Sequence, residues 1–197
     1  MAIRQPHVPG IPQRPPWQSR YHGLRLNPDQ FLALPEAKPY LEYVDGVVLQ
    51  KPMANTEHSI LAAALAFEMG IYVRQRGGWV GVEARAAFGE LPNYRLPDVS
   101  YWSPDRSPTD DSLPTLAIEI RSPSQTLGEL REKCRAFRRN GVDACWLIDP
   151  ASRTAERFEG IRDAEFIVES GSLSSDKLAG FVLPLRQLFA VLPSAGG

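Results

Sequence analysis

The sequence predicts an α+β (mixed α/β) domain built on one central sheet. Elements come in the order helix, β-meander, helix, further strands, which is neither strict βα alternation nor an all-β pattern. Two long stretches carry apolar residues at helical spacing, while short Val-, Ile- and Leu-rich runs between turn residues fill the remainder. The 197 residues suffice for one proper core, and no repeat or linker divides them.

Met1 to about His22 is rich in Pro, Gln and Arg, and Pro6, Pro9, Pro12, Pro15 and Pro16 block regular structure. Residues 1–22 are therefore expected to be a flexible tail, or an arm that docks on a partner, ahead of a single domain over 23–197. Asn27-Pro28-Asp29-Gln30 opens a short helix, with Asn27 as N-cap and Pro28 at the first helical position, and Pro35 stops it. Tyr40 to Asp45 and Val47 to Lys51 read as strands turned at Asp45-Gly46. Thr56 to about Arg76 places Ile60, Leu61, Ala64, Leu65, Phe67, Glu68 and Tyr72 at helical spacing, and Gly77-Gly78 ends it. Strands are expected at Trp79 to Glu83, Ala86 to Glu90, Arg95 to Trp102 and Leu116 to Arg121. A second helix runs from about Thr126 to Asn140, closed by Gly141. Ala144 to Asp149, Thr154 to Phe158 and Glu165 to Glu169 read as strands, and Leu183 to Leu192 as a last short helix on the core.

Composition narrows the function classes. A 43% hydrophobic and 23% charged content is that of an ordinary soluble protein. The formal net charge of −1 argues against strong non-specific nucleic-acid binding, so phosphate contacts require a local basic patch. No run approaches a membrane span and no apolar signal core stands at the N-terminus, so a cytoplasmic protein is expected. Cys134 and Cys145 lie in core-like segments and are expected as buried free thiols. No Cys/His cluster suits zinc, no Gly-rich loop follows a strand, and no Ser–His–Asp arrangement is evident.

Two acidic residues stand out. Asp98 lies in Leu96-Pro97-Asp98-Val99-Ser100, and Glu119 in Leu116-Ala117-Ile118-Glu119-Ile120, each inside an apolar run that reads as a buried strand. A buried carboxylate costs several kcal/mol unless it is paired or holds a metal. On neighbouring strands the two could converge on one divalent cation. Taken singly, Asp98 also reads as a strand-edge aspartate facing water, and Glu119 as a solvated glutamate on an edge strand. Lys133 sits on the following helix about 60° to one side of Leu130, at the border of the Leu130, Cys134 and Phe137 stripe. From there it can reach across the strand ends, or simply pair with Glu129 on the surface. Two carboxylates and a lysine are what phosphodiester hydrolysis with Mg²⁺ or Mn²⁺ requires.

These segments, with Gly141-Val142-Asp143-Ala144-Cys145-Trp146-Leu147-Ile148-Asp149-Pro150, resemble the Uma-type family of restriction endonuclease-like proteins, within the PD-(D/E)XK nuclease superfamily. The resemblance extends upstream to Tyr40-Leu41-Glu42-Tyr43-Val44-Asp45-Gly46 and His58, covering about Leu26 to Leu192. It implies a restriction endonuclease-like fold, a central mixed β-sheet flanked by helices. It also implies Asp98 and Glu119 as metal ligands, Glu42 as an extra ligand, and Lys133 as a lysine migrated from strand to helix. His58 becomes a candidate substrate-binding group. The usual lysine position, two residues after the glutamate, holds Arg121, which cannot act as a base but can grip a phosphate. The leading expectation is thus an endonuclease acting on DNA with Mg²⁺ or Mn²⁺, working as a homodimer with an interface along Phe181 to Leu192. The alternative is a catalytically inactive module of the same fold that binds DNA or dimerises. A third reading is a structural or chaperone-like protein whose acidic residues are incidental. Arg131, Arg135, Arg138 and Arg139 form either a solvated helix face or one that contacts phosphates.

Overall fold

Turn and cap chemistry set the first elements of the computed structural model, which describes residues 15, 17–89, 92–109, 112–160 and 164–193. Asn27 caps α1 (Pro28–Leu32) through a reciprocal box with Gln30. Strands β1 (Leu41–Val44) and β2 (Val47–Gln50) form a hairpin, and Asp45 and Gly46 have φ of 49° and 81°. Positive φ at both loop residues matches the strands' right-handed twist. With β4 (Ala86–Phe88) and β5 (Asn93–Arg95) the hairpin makes a four-stranded sheet in the order β2-β1-β5-β4. Phe31 of α1 stacks on Tyr43 and Tyr94, with centroids 5.2 and 5.7 Å away, and so seals that sheet's own small core.

The central sheet has six strands. They are β3 (Trp79–Val82), β6 (Val99–Trp102), β7 (Leu116–Ile120), β8 (Ala144–Asp149), β9 (Thr154–Glu159) and β10 (Glu165–Ile167), in the order β10-β9-β8-β7-β6-β3. All neighbours are antiparallel except β7 and β8, which α3 (Leu127–Arg139) connects as a crossover. Every residue of β7 and β8 is buried, as central strands with both faces covered should be. Period-two alternation then sorts their side chains. Ile118, Ile120, Trp146 and Ile148 pack with Leu61, Leu65 and Met69 of α2 (Thr56–Arg76). Ala117, Cys145 and Leu147 pack with Leu130, Cys134 and Phe137 of α3. Glu119 shares a face with Ala117, so it is directed to the α3 side. Cys134 and Cys145 are free and buried there, as expected.

Three expectations change. Arg95 to Trp102 is not one strand: it breaks at Leu96-Pro97-Asp98, and β5 and β6 belong to different sheets. Pro97 has no amide to donate, and Asp98 Oδ2 itself accepts the Ile120 amide at 2.7 Å, beyond the last β6–β7 pair, Val99 with Ile118. Phe181 to Leu192 is not a free apolar surface. Phe181, Leu183, Leu185, Leu188 and Phe189 are buried in the α2 core, the last three from α4 (Leu185–Phe189). A small hairpin of β11 (Ser172–Ser174) and β12 (Val182–Pro184), unmarked by any strand-like run, leads the chain there. Finally, residues 17–22 of the proposed tail lie against β2. Ser19 donates to Gln50 Oε1 at 2.5 Å, and His22 Nδ1 accepts the Gln50 amide at 3.0 Å. The rest of that tail, residues 1–14 and 16, lies outside the described residues. No helix among the described residues is long and apolar enough to cross a membrane.

Candidate active site

The break before β6 and the face assignment of β7 bring the two acidic side chains together. Asp98 and Glu119 are each only 2% exposed. Asp98 Oδ2 accepts the Ile120 amide and lies 3.1 Å from Nε2 of His58, in the first turn of α2. Asp98 Oδ1 accepts from Lys51 Nζ at 2.8 Å. Burial pushes the Asp98 carboxyl up, but Lys51 and the His58 hydrogen bond outweigh it and hold it well below the usual carboxylate range.

Lys133 is not a surface residue. Its ammonium reaches inward from α3 to Glu42 Oε1 at 2.9 Å and to Glu119, 3.0 Å from Oε1 and 3.1 Å from Oε2. Its suggested surface partner, Glu129, instead closes the N-terminal capping box of α3 with Thr126. Burial opposes the charge on Lys133, yet Glu119 and Glu42 raise its pKa well above the lysine range. That makes it a fixed positive charge rather than a proton acceptor. Glu42, on β1, also accepts the Leu96 amide at 3.1 Å and lies 4.0 Å from Arg95 Nη1. Burial lifts its pKa, and Lys133 and Arg95 more than reverse that.

Glu119 behaves differently from the other acids. Burial raises its carboxyl to about 7, with Lys133 only partly offsetting this and the Asp98 charge adding to it. Its Oε1 is buried and accepts no hydrogen bond, having only the ammonium at ion-pair distance. Glu119 thus keeps one buried oxygen without a hydrogen-bond donor beside the Lys133 ammonium, and oxygen donors of this kind suit a hard divalent cation. Among the described residues, no group of three or more His, Cys, Asp or Glu side chains forms a ready-made metal site.

Arg121 lies outside this cluster. Its Nη1 is 3.2 Å from both oxygens of Asp149 and its Nε donates to the Gln125 carbonyl at 3.1 Å. It lines a separate cavity of about 210 Å³ with Asn55, Ser122 and Pro123. The α3 arginines are likewise engaged: Arg131 grips Glu156, Arg138 bonds the Gly160 carbonyl and Arg139 pairs with Glu132. Lys51, which follows β2, is the site residue that sequence reasoning missed. It is 7% exposed and its ammonium also meets the Leu96 carbonyl at 2.8 Å and Glu83 Oε1 at 3.3 Å. The one available signal was a lysine closing the apolar run Val47-Val48-Leu49 ahead of Pro52.

Comparisons with known proteins bear on the family and the fold. The Uma2 family model, described as "Putative restriction endonuclease", matches residues 28–186. The chain is also similar to a solved structure titled "Crystal structure of a putative nuclease belonging to DUF820 from Anabaena variabilis ATCC 29413". The TM-score is 0.77 at 26% identity, covering 84% of this chain and 98% of that one. No curated protein matches the chain.

Proposed function

The chain belongs to the Uma2 restriction endonuclease family, and on that premise we propose that it is a metal-dependent endonuclease hydrolysing DNA phosphodiester bonds. Asp98 and Glu119 would hold Mg²⁺ or Mn²⁺ between β6 and β7. A cation held there lowers the pKa of bound water and offsets charge developing on the scissile phosphate. The remaining roles belong to the chain itself. His58 and the Ile120 amide fix the Asp98 carboxylate in one orientation. Lys133, held between Glu42 and Glu119, keeps the Glu119 carboxylate in position and adds fixed positive charge beside it. Glu42 serves this reading as the anchor of Lys133.

One observation carries the proposal: two carboxylates, Glu119 on β7 and Asp98 just ahead of the adjacent β6, lie buried in one cluster with Lys51, Lys133, Glu42 and His58. Neutral substitution tests it. Asp98→Asn and Glu119→Gln should each lower Mn²⁺-dependent cleavage of plasmid DNA by about a thousandfold, roughly 4 kcal/mol of barrier. Cleavage retained in both variants would overturn the assignment.

The competing reading, an inactive module that binds DNA, draws on one specific observation. Asp98 and Glu119 already have ammonium partners in Lys51 and Lys133, so the cluster is charge-paired without a cation. Such a module would bind DNA and cleave none of it, with or without Mn²⁺.

A further inference from the structure

Lys51 stands where the buried cluster meets open space. An ammonium has three donors, and here they meet three acceptors: Asp98 Oδ1 at 2.8 Å, the Leu96 carbonyl at 2.8 Å and Glu83 Oε1 at 3.3 Å. Lys51 also lines two adjoining cavities, of about 320 and 490 Å³. Lys38, Tyr40, Met53 and Glu83 flank the first, and Trp17, His22, Gln50 and Ser124 the second. Of the cluster described above, Asp98, Glu119, Glu42, His58 and Lys133 line neither. A molecule entering either cavity therefore meets Lys51 before it meets a carboxylate of the cluster's interior.

The three acceptors are unequal. Glu83 is the most distant, and its side chain is 30% exposed against 3% for Asp98. Its backbone has φ 50°, the left-handed region, and its amide donates to the Asp98 carbonyl at 3.2 Å. Non-glycine residues seldom occupy that region, and such strain is often kept at functional turns. The turn ending β3 thus places a partly exposed carboxylate against the Lys51 ammonium, in the lining of the first cavity.

We propose that Lys51 is the phosphate-contacting lysine of this site, and that Glu83 is a carboxylate latch which a nucleic-acid phosphate displaces. The proposal rests on the nuclease reading above and adds the residue that meets the strand. A phosphate oxygen replaces Glu83 Oε1 as the third acceptor, while Asp98 and the Leu96 carbonyl keep the ammonium in place. One anion succeeds another, so the charge on Lys51 stays fully partnered throughout. Glu83 is released toward solvent at the cavity mouth.

Fluorescence anisotropy of a short fluorescein-labelled DNA, single-stranded and duplex, tests this in EDTA, without cation or cleavage. Glu83→Gln keeps the Lys51–Asp98 pair but weakens the latch, and DNA affinity should rise about fivefold. Lys51→Met should lower it about tenfold, the loss of one charge-assisted contact. Glu36→Gln, which removes an exposed carboxylate from a neighbouring cavity, should change affinity less than twofold and so separates a latch from a general charge effect. Should Lys51→Met fail to fold, Glu83→Gln and Glu36→Gln decide the matter alone. A Glu83→Gln protein that binds no tighter than wild type, or no tighter than Glu36→Gln, overturns the latch and leaves the nuclease reading standing. Wild type that binds neither DNA, with or without Mn²⁺, overturns both.

Discussion

At Glu119, burial and function pull in opposite directions. Its carboxyl is raised from 4.5 to about 7, with burial the largest cause. Between those values the folded chain binds more protons than the unfolded one, so stability falls as pH rises through that window. Asp98 is shifted the other way. Its contribution is present above its unfolded value and is lost only as pH falls further, so it does not offset Glu119 in the same range. The melting temperature of the cation-free protein should therefore decline from 4.5 toward about 7, and Glu119→Gln should flatten that slope. An identical slope in the variant would mean that Glu119 is already ionised without cost. Lys133→Met, in turn, leaves Glu42 and Glu119 without their shared ammonium and should cost about 3–5 kcal/mol in urea unfolding. Asp98 and Glu119 were legible in the sequence because acids within apolar runs need a reason. The burial of Lys133 was suggested only by its position at the edge of the α3 stripe. Lys51 was not legible, since its partner Asp98 is 47 residues away and nothing local announces the pairing.

Among the elements, helices were the most readable. α2 spans Thr56–Arg76, the range its periodicity and flanking glycines indicate. α3 begins after Thr126 because Thr126 and Glu129 cap each other reciprocally, and it carries Lys133 to the site. Thr126→Ala should cost about 1 kcal/mol in chemical unfolding, and leave Mn²⁺ binding unchanged because the cap does not touch the cluster. A weakened Mn²⁺ isotherm would show that the cap and the site are coupled. Strands were less readable where the local pattern runs on through a break. Arg95 to Trp102 reads as one strand, yet Pro97 and the carboxylate of Asp98 end the pairing and send the halves to different sheets. That break puts Asp98 beside Ile120.

For the whole molecule, the class was readable and the partition of strands was not. One central sheet follows from the element order, but the division of strands among three sheets of the described residues and the buried C-terminal segment depend on contacts distant in sequence. The cluster itself draws on β1, β7, α2, α3 and the segments that follow β2 and precede β6. Such a site exists only when the chain is folded, so a cation that binds it must stabilise the fold by linkage. Isothermal titration of Mn²⁺ into the wild type and into Glu119→Gln reads that linkage at its source. The predicted result is a saturable heat in the wild type that weakens at least about tenfold in the variant, a difference of about 1.4 kcal/mol. An absence of binding in the wild type, or an unchanged isotherm in Glu119→Gln, would contradict a cation held between Asp98 and Glu119.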